Sequence, residues 1–273
     1  MQDTILPTAI ATAYYKDGKY LVKLTNISEE IIGSDSYQFE TLPSEIIITD
    51  VNGNINAITI QNETNIPTIE EKLTNNSNYS KSYEFDIRDE SNIEVVKIEK
   101  GSYAKEYFKE NGEVLTEPYS YIIYENGDYT IYVRDMMGNE NTKTITIDTV
   151  QIPNISDDEL NNALLISDII LNDYENTIAY TKKVSINPLN DLEITELKII
   201  STDQQYNDII DDSFNSEQIH GSNVNTLSIQ DFEVIDNQSI TNDEYYYIYF
   251  KVKKGEGLNI DTASKVIEVK VAS

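Results

Sequence analysis

Along the chain, two pairs of apolar-rich runs each enclose a short turn of the same pattern, Asp-x-x-Gly-Asn. Ile46-Ile47-Ile48 leads into Asp50-Val51-Asn52-Gly53-Asn54 and continues as Ile55 to Ile60. Tyr129-Thr130-Ile131-Tyr132-Val133 leads into Asp135-Met136-Met137-Gly138-Asn139 and continues as Thr142 to Ile147, 85 residues further on. A strand, a tight turn and a strand predict a β-hairpin. Gly53 and Gly138 supply positive φ without a Cβ, while Asp50, Asn54, Asp135 and Asn139 can bond neighbouring backbone amides. Between the two turns, Ser82-Tyr83-Glu84-Phe85-Asp86-Ile87-Arg88 alternates apolar and polar residues, the period of a half-buried strand. Val95 to Gly101 and Tyr121 to Tyr124 follow, with a turn over Glu125-Asn126-Gly127-Asp128. Strands at this spacing predict a sandwich or a barrel.

A second short signal, Asp or Asn, Thr and Pro, recurs as Asp3 to Pro7, Asn62 to Pro67 and Asp148 to Pro153. Each copy of the Gly-bearing turn is followed by one of these within about ten residues, as a last hairpin feeding a linker would be. The chain therefore divides into residues 1–61, 62–147 and 148–273, with net charges of −5, −8 and −15.

The middle segment resembles the immunoglobulin-like repeats of clostridial and bacillar surface proteins. The residues that carry the resemblance are Ser91-Asn92-Ile93 to Lys97, Lys100-Gly101, Tyr107-Phe108 and the run from Asn126-Gly127-Asp128-Tyr129 to Asn139. It implies an all-β chain of tandem immunoglobulin-like β-sandwich modules. The first segment matches that pattern only at its ends, as a shortened relative. The third departs further. Lys182 to Ile186 and Ile194 to Ile200 read as its second and third strands, and Tyr245 to Val252 and Lys265 to Val271 as its closing hairpin, turned at Lys253 to Gly257. Ser156-Asp157-Asp158-Glu159 has the spacing of a capping box and predicts a short helix ahead of that module.

Composition narrows the chemistry. The net charge of −28 over 273 residues argues against nucleic acid and anionic lipid as partners. There is no Cys, which removes disulfides, thiolate catalysis and Cys-ligated metals. His220 is the one histidine, in a polar stretch that reads as an exposed loop. No phosphate-cradling or dinucleotide motif is present. Acid pairs are abundant, but no Trp accompanies them as a sugar platform, so glycoside hydrolysis is not expected. An internal Lys–Asn bond through Lys182 or Lys183 lacks an Asn in Lys265 to Val271. No apolar run is long enough to span a bilayer, Met1-Gln2-Asp3 does not open a secretion signal, and the end of the chain shows no wall-sorting motif. The sequence thus reads as a segment of a longer extracellular chain.

Three groups remain as candidate sites. Asp203, Asn207, Asp208, Asp211 and Asp212 are an oxygen-rich cluster suited to calcium, and the linker acids Asp148, Asp157 and Asp158 form a second such group. No other cofactor is expected. In Tyr245-Tyr246-Tyr247-Ile248-Tyr249-Phe250, a strand places Tyr246, Ile248, Phe250 and Val252 on a core face. Tyr245, Tyr247 and Tyr249 then form either a stripe for a protein or glycan on a cell or host surface, or a packing face. The expected function is a non-enzymatic stalk or adhesion segment of a bacterial surface protein. The alternatives are a subunit of a surface layer or appendage, and an accessory ligand-binding portion of a secreted enzyme.

Overall fold

The structure, a computed structural model, describes residues 4–174, 177–186, 192–202, 223–226, 233–240 and 245–269. It is almost wholly β and divides into two compact units, Met1–Ser77 with Lys81–Thr149, and Asn78–Ser80 with Val150–Ser273.

The first unit opens with five strands: β1 (Ile10–Lys16), β2 (Lys19–Thr25), β3 (Ser36–Phe39), β4 (Glu45–Thr49) and β5 (Ile55–Asn62). They lie in the order β3-β2-β1-β5-β4. Alternation decides which side is buried. Ala11, Ala13, Val22, Leu24, Ile46, Ile48 and Ile58 point into one core, and Met137 from the second segment packs against it. β1 and β5 pair in parallel, Ala11 to Ala13 alongside Ile60 to Asn62; the other neighbours are antiparallel.

Seven strands follow in the same unit: β6 (Thr68–Asn76), β7 (Lys81–Arg88), β8 (Ile93–Lys100), β9 (Glu113–Leu115), β10 (Ser120–Ile123), β11 (Gly127–Asp135) and β12 (Glu140–Ile147). They form a three-stranded sheet, β10-β7-β6, and a four-stranded sheet, β12-β11-β8-β9. Named A to G in chain order with the short β9 as C′, this is an ABE sheet and a C′CFG sheet, an immunoglobulin-like sandwich. Phe85, Val96, Ile98, Ile123, Ile131 and Val133 are all buried in it. β11 is buried at consecutive positions because a 3-10 helix, Lys105–Lys109, lies over its other face. The Phe108 ring stacks on Tyr132 with centroids 5.2 Å apart, and the Tyr132 hydroxyl donates to Glu140 at 2.6 Å. Phe108 therefore seals the outside of the strand, with Tyr107 edge-on to it.

The second unit begins with helix α1 (Asp157–Asn162), capped as its spacing predicts: Glu159 N donates to Ser156 Oγ, and Ser156 N to the Glu159 carboxylate. Lys254 bonds the same carboxylate at 2.6 Å and, with the Ser156 bonds, draws the Glu159 pKa down to about 2. Seven strands follow, β13 (Leu164–Tyr174), β14 (Thr177–Ile186), β15 (Leu192–Thr202), β16 (Asn223–Thr226), β17 (Glu233–Ile240), β18 (Tyr245–Glu256) and β19 (Asn259–Val269). Their sheets are β13-β14-β17 and β16-β15-β18-β19. This is the strand order of the preceding sandwich, element for element, in the segment whose sequence resembles it least.

One turn moves. The expected turn at Lys253 to Gly257 is replaced by a tighter one, with Glu256 paired to Asn259 across Gly257-Leu258. Strand pairing continues through Gly255, which has φ +98°, and a Cβ there would stand 2.2 Å from Asn259 O. Only a glycine lets the strand pass that carbonyl, so the ladder runs on instead of ending at the lysines.

Gly53 and Gly138 have φ +89° and +93°, and a Cβ at either would meet nothing within 4 Å. Substitution there tests backbone strain alone. Gly138→Val is expected to lower the stability of the full chain by about 1–3 kcal/mol, and Gly138→Asn by less, because Asn tolerates the left-handed region. Equal losses in urea unfolding would place the cost elsewhere than φ.

Candidate functional site: a buried carboxyl cluster

The two Gly-bearing turns are built alike. Asp50 Oδ1 accepts from Asn52 N and Asn54 N, both at 2.8 Å, and Oδ2 accepts from Asn54 Nδ2 at 2.8 Å. Asp135 Oδ1 accepts from Met137 N and Asn139 N at 2.8 Å, and Oδ2 from Asn139 Nδ2 at 2.9 Å. Both aspartates are fully buried. Burial pushes the Asp50 carboxyl up, but the bonds from Asn54 and Asn52 outweigh it and leave its pKa below the usual range.

At the second turn a further carboxylate arrives. Glu63 follows β5 directly, and its N–H donates to Ala13 O at 3.0 Å, prolonging the parallel β1–β5 ladder by one bond. Its side chain is 3% exposed. Oε1 accepts from Asn139 Nδ2 at 2.8 Å and Ser91 Oγ at 3.1 Å, and Oε2 accepts from Asn65 N at 2.7 Å. Asp89, which accepts from Ser91 N at 2.8 Å, completes a group with Glu63 and Asp135 whose oxygens lie within 4.8 Å of one another. The surrounding backbone is equally tied. Asn92 N donates to Tyr15 O at 2.7 Å, Asp17 N to Asn92 Oδ1 at 2.7 Å, and Met136 N to Asn92 O at 2.9 Å. The end of the β1–β2 hairpin, the segment after β5 and two loops of the following sandwich thus meet at one buried cluster of acids.

Burial raises the Glu63 pKa, and its hydrogen bond to Asp135 and that neighbour's charge raise it further, against the opposing bonds from Asn65 and Ser91. Asp89 is raised by burial, with Asp135 and Glu90 adding repulsion. The Tyr14 hydroxyl beside them is pushed up by burial and by Glu90 and Glu63. A protonated Glu63 donating to Asp135 relieves the repulsion. Three carboxylates could in principle hold a cation, and calcium asks for six to eight oxygens. Most lone pairs of Glu63 and Asp135 are already taken by N–H and O–H donors, so the arrangement suits a proton on Glu63 better than a cation.

Sequence reasoning singled out Asp135 and Asn139 as turn residues and missed Glu63, Asp89 and Ser91 as their companions. Glu63 lies inside the Asn62 to Pro67 linker copy, one residue past the end of β5, a place that does not by itself mark a buried acid. Asp203, Asn207, Asp208, Asp211, Asp212 and His220 lie outside the described residues. Asp157 and Asp158 stand in the first turn of α1, where their charge favours the helix N-terminus. At one position of the tyrosine stripe, burial favours the packing face over the binding face. Tyr249 is 6% exposed and Phe250 fully buried, so β18 is covered on both faces there, and Tyr249 is a packing residue. Tyr245 and Tyr247 lie on β18, and their side chains fall outside the described residues.

No known protein family matches the sequence, and no curated protein matches it. Among solved structures, the FN1–FN3 domains of chicken CNTN1 are similar at 12% identity, over 97% of this chain and 98% of that one, with a TM-score of 0.24. It is the strand orders above, and not this likeness, that define the sandwiches. Among the described residues, no helix is long and apolar enough to cross a membrane.

The raised Glu63 pKa has a definite sign. Its contribution is present in full below the ordinary glutamate range and is lost as pH rises through the elevated folded value. Glu63→Gln keeps one of the two acceptor oxygens and removes the titration, so the test lies in the pH dependence and not in the constant offset. Relative to wild type, the variant is expected to gain stability as pH rises from 4 to 8. A constant difference across that range, measured by thermal unfolding of the full chain, would show that Glu63 does not titrate there.

Proposed function

We propose that the chain is a non-enzymatic stalk or adhesion segment of an extracellular bacterial surface protein, in which tandem sandwiches bear load and set distance. The observation that carries this reading is the parallel pairing of β1 with β5, the first and last strands of the first module. Tension along the polypeptide enters at the start of β1 and leaves at the end of β5. It draws the two strands in opposite directions along their own axes. Their hydrogen bonds are then loaded together in shear, whereas a hairpin pulled from its open end loses its bonds one at a time. The Glu63 N–H bond to Ala13 O continues the shear ladder into the segment beyond, and Asn141 Nδ2 donating to Pro67 O at 2.7 Å takes slack out of that segment.

The partner class that fits such a segment is a protein or glycan at the cell or host surface. Strong negative charge steers it toward basic partners and away from nucleic acid.

Because the chain has no Cys, handles can be placed at will. Single-molecule pulling through Thr8→Cys and Thr64→Cys should give a markedly higher rupture force than pulling through Glu45→Cys and Thr59→Cys, a paired position of the β4–β5 hairpin. Equal forces would remove the load-bearing reading. The unmodified chain should show no turnover on polysaccharide and peptide panels. Turnover abolished by changing one acid pair would make it an enzyme.

A further inference from the structure

The first module is a sandwich without its third strand. Shifted by 85 residues, β4 and β5 correspond to β11 and β12, with Asp50 in the place of Asp135. In both later sandwiches the strand equivalent to β4 has a long neighbour on its outer side, β8 beside β11 and β15 beside β18. In the first module that neighbour is reduced to one bridge, Ile31 to Asp50, with Val51 N donating to Glu30 O at 3.2 Å and Ile32 N to Thr49 O at 2.7 Å. Asn92 and Ile93 hold the same positions beside Asp135 at the start of β8. After Ile32 the chain turns away at Gly33, φ +113°. β4 is left as the edge of its sheet.

Backbone parity says what that edge offers. Thr49 O faces outward to Ile32, so Ile47 and Glu45, two and four residues earlier, turn their N–H and C=O groups the same way. The exposed face beside them is apolar. Ile32, Thr49 and Ile55 form a row across the sheet, with Ile47 next to it; Ile32, Ile47 and Ile55 are 62%, 62% and 60% exposed. Other edges of the first unit are guarded: β6 carries Glu70, Glu71 and Lys72, β12 carries Lys143, and β3, β9 and β10 are four residues or shorter. β4 carries three consecutive isoleucines and neither Lys nor Pro. Its surroundings have one sign of charge. Residues 26–60 contain six acids and no Lys or Arg, while the module's three lysines, Lys16, Lys19 and Lys23, lie on β1 and β2, away from this edge.

We propose that the outer edge of β4 is a strand-acceptor site, filled by an extended segment of another protein that alternates apolar and basic residues. The segment runs antiparallel to β4, as β8 does to β11 and β15 to β18. Its backbone bonds the Ile47 and Glu45 peptide groups. On the face that Ile47 and Glu45 share, its lysines lay their stems along Ile32, Ile47 and Ile55 and bring their charges to Glu30 and Glu45, while its apolar residues turn to the opposite face, the side of Ile46 and Ile48. A second copy of this chain would bring a like-charged edge to the same place and is the disfavoured occupant. The inference does not require the chain to be a stalk.

The test uses the full chain and a seven-residue peptide alternating lysine with valine and isoleucine. Amide exchange should show Ile47 N–H open in the free chain and slowed by the peptide, with the effect weakened by salt. A glutamate-for-lysine peptide should bind at least about tenfold more weakly, and so should the lysine peptide to Ile47→Lys, which puts a like charge on the edge. Ile47 is exposed, so that variant should melt as wild type does; the salt titration decides the question on the unmodified chain in any case. Protection of Ile47 without peptide, equal binding of both peptides, or protection that rises with protein concentration would each overturn the proposal, the last in favour of self-association.

Discussion

The first unit depends on how two buried aspartates are satisfied. Asp50 and Asp135 each sit where water does not reach, and an unpaired carboxylate there would be costly. Each escapes that cost by accepting three bonds from the next four residues. Those bonds close a loop that only a residue with positive φ can complete, which fixes the Gly, and they require a side-chain amide, which fixes the Asn. The geometry then propagates. At Asp135 it sends the Met137 side chain against the first module's core and holds the Asn139 amide where it reaches both Asp135 and Glu63. A local rule of turn chemistry thus becomes the joint between the first five strands and the sandwich that follows.

The same rule shows what the first module lost. With the turns superimposed by their bonding, Glu30 and Ile31 occupy the places of Asn92 and Ile93, and the strand that should continue from them stops. The module compensates by pairing its first and last strands in parallel, which joins its two halves into one five-stranded sheet. The third module shows the converse. Its sequence departs furthest from the pattern of the second, yet its two sheets have the same strand order, because that order follows from alternation and connection lengths rather than from particular side chains.

These differences explain what was legible. Period-2 runs such as Ser82 to Arg88 and the Asp-x-x-Gly-Asn turns identify themselves, since each depends on residues adjacent in sequence. The closing turn of the third module was misplaced by a few residues because Gly255 and Gly257 look alike in sequence. One is a strand residue passing a carbonyl, and the other makes the turn. The face of Tyr249 was ambiguous for a different reason: alternation assigns a side but does not say whether anything covers it. Glu63 was out of reach, since its role comes from Asn139, 76 residues away. Linker acids are common, and nothing local distinguishes one that is buried.

The placement of Glu63 also bears on what counts as a module. Sequence boundaries invite cutting the chain at residue 61, yet the residues beyond that cut finish the ladder of the preceding sheet, and Met137 finishes its core. In a linear array, stability divides into a term for each repeat and a term for each interface between neighbours. Here the interface term is large enough in kind, with buried acids, shared strands and a shared core residue, that the first two repeats should behave as one cooperative block. The shortened repeat then leans on its neighbour, which adds Met137 to its core and anchors the acid that extends its β1–β5 ladder.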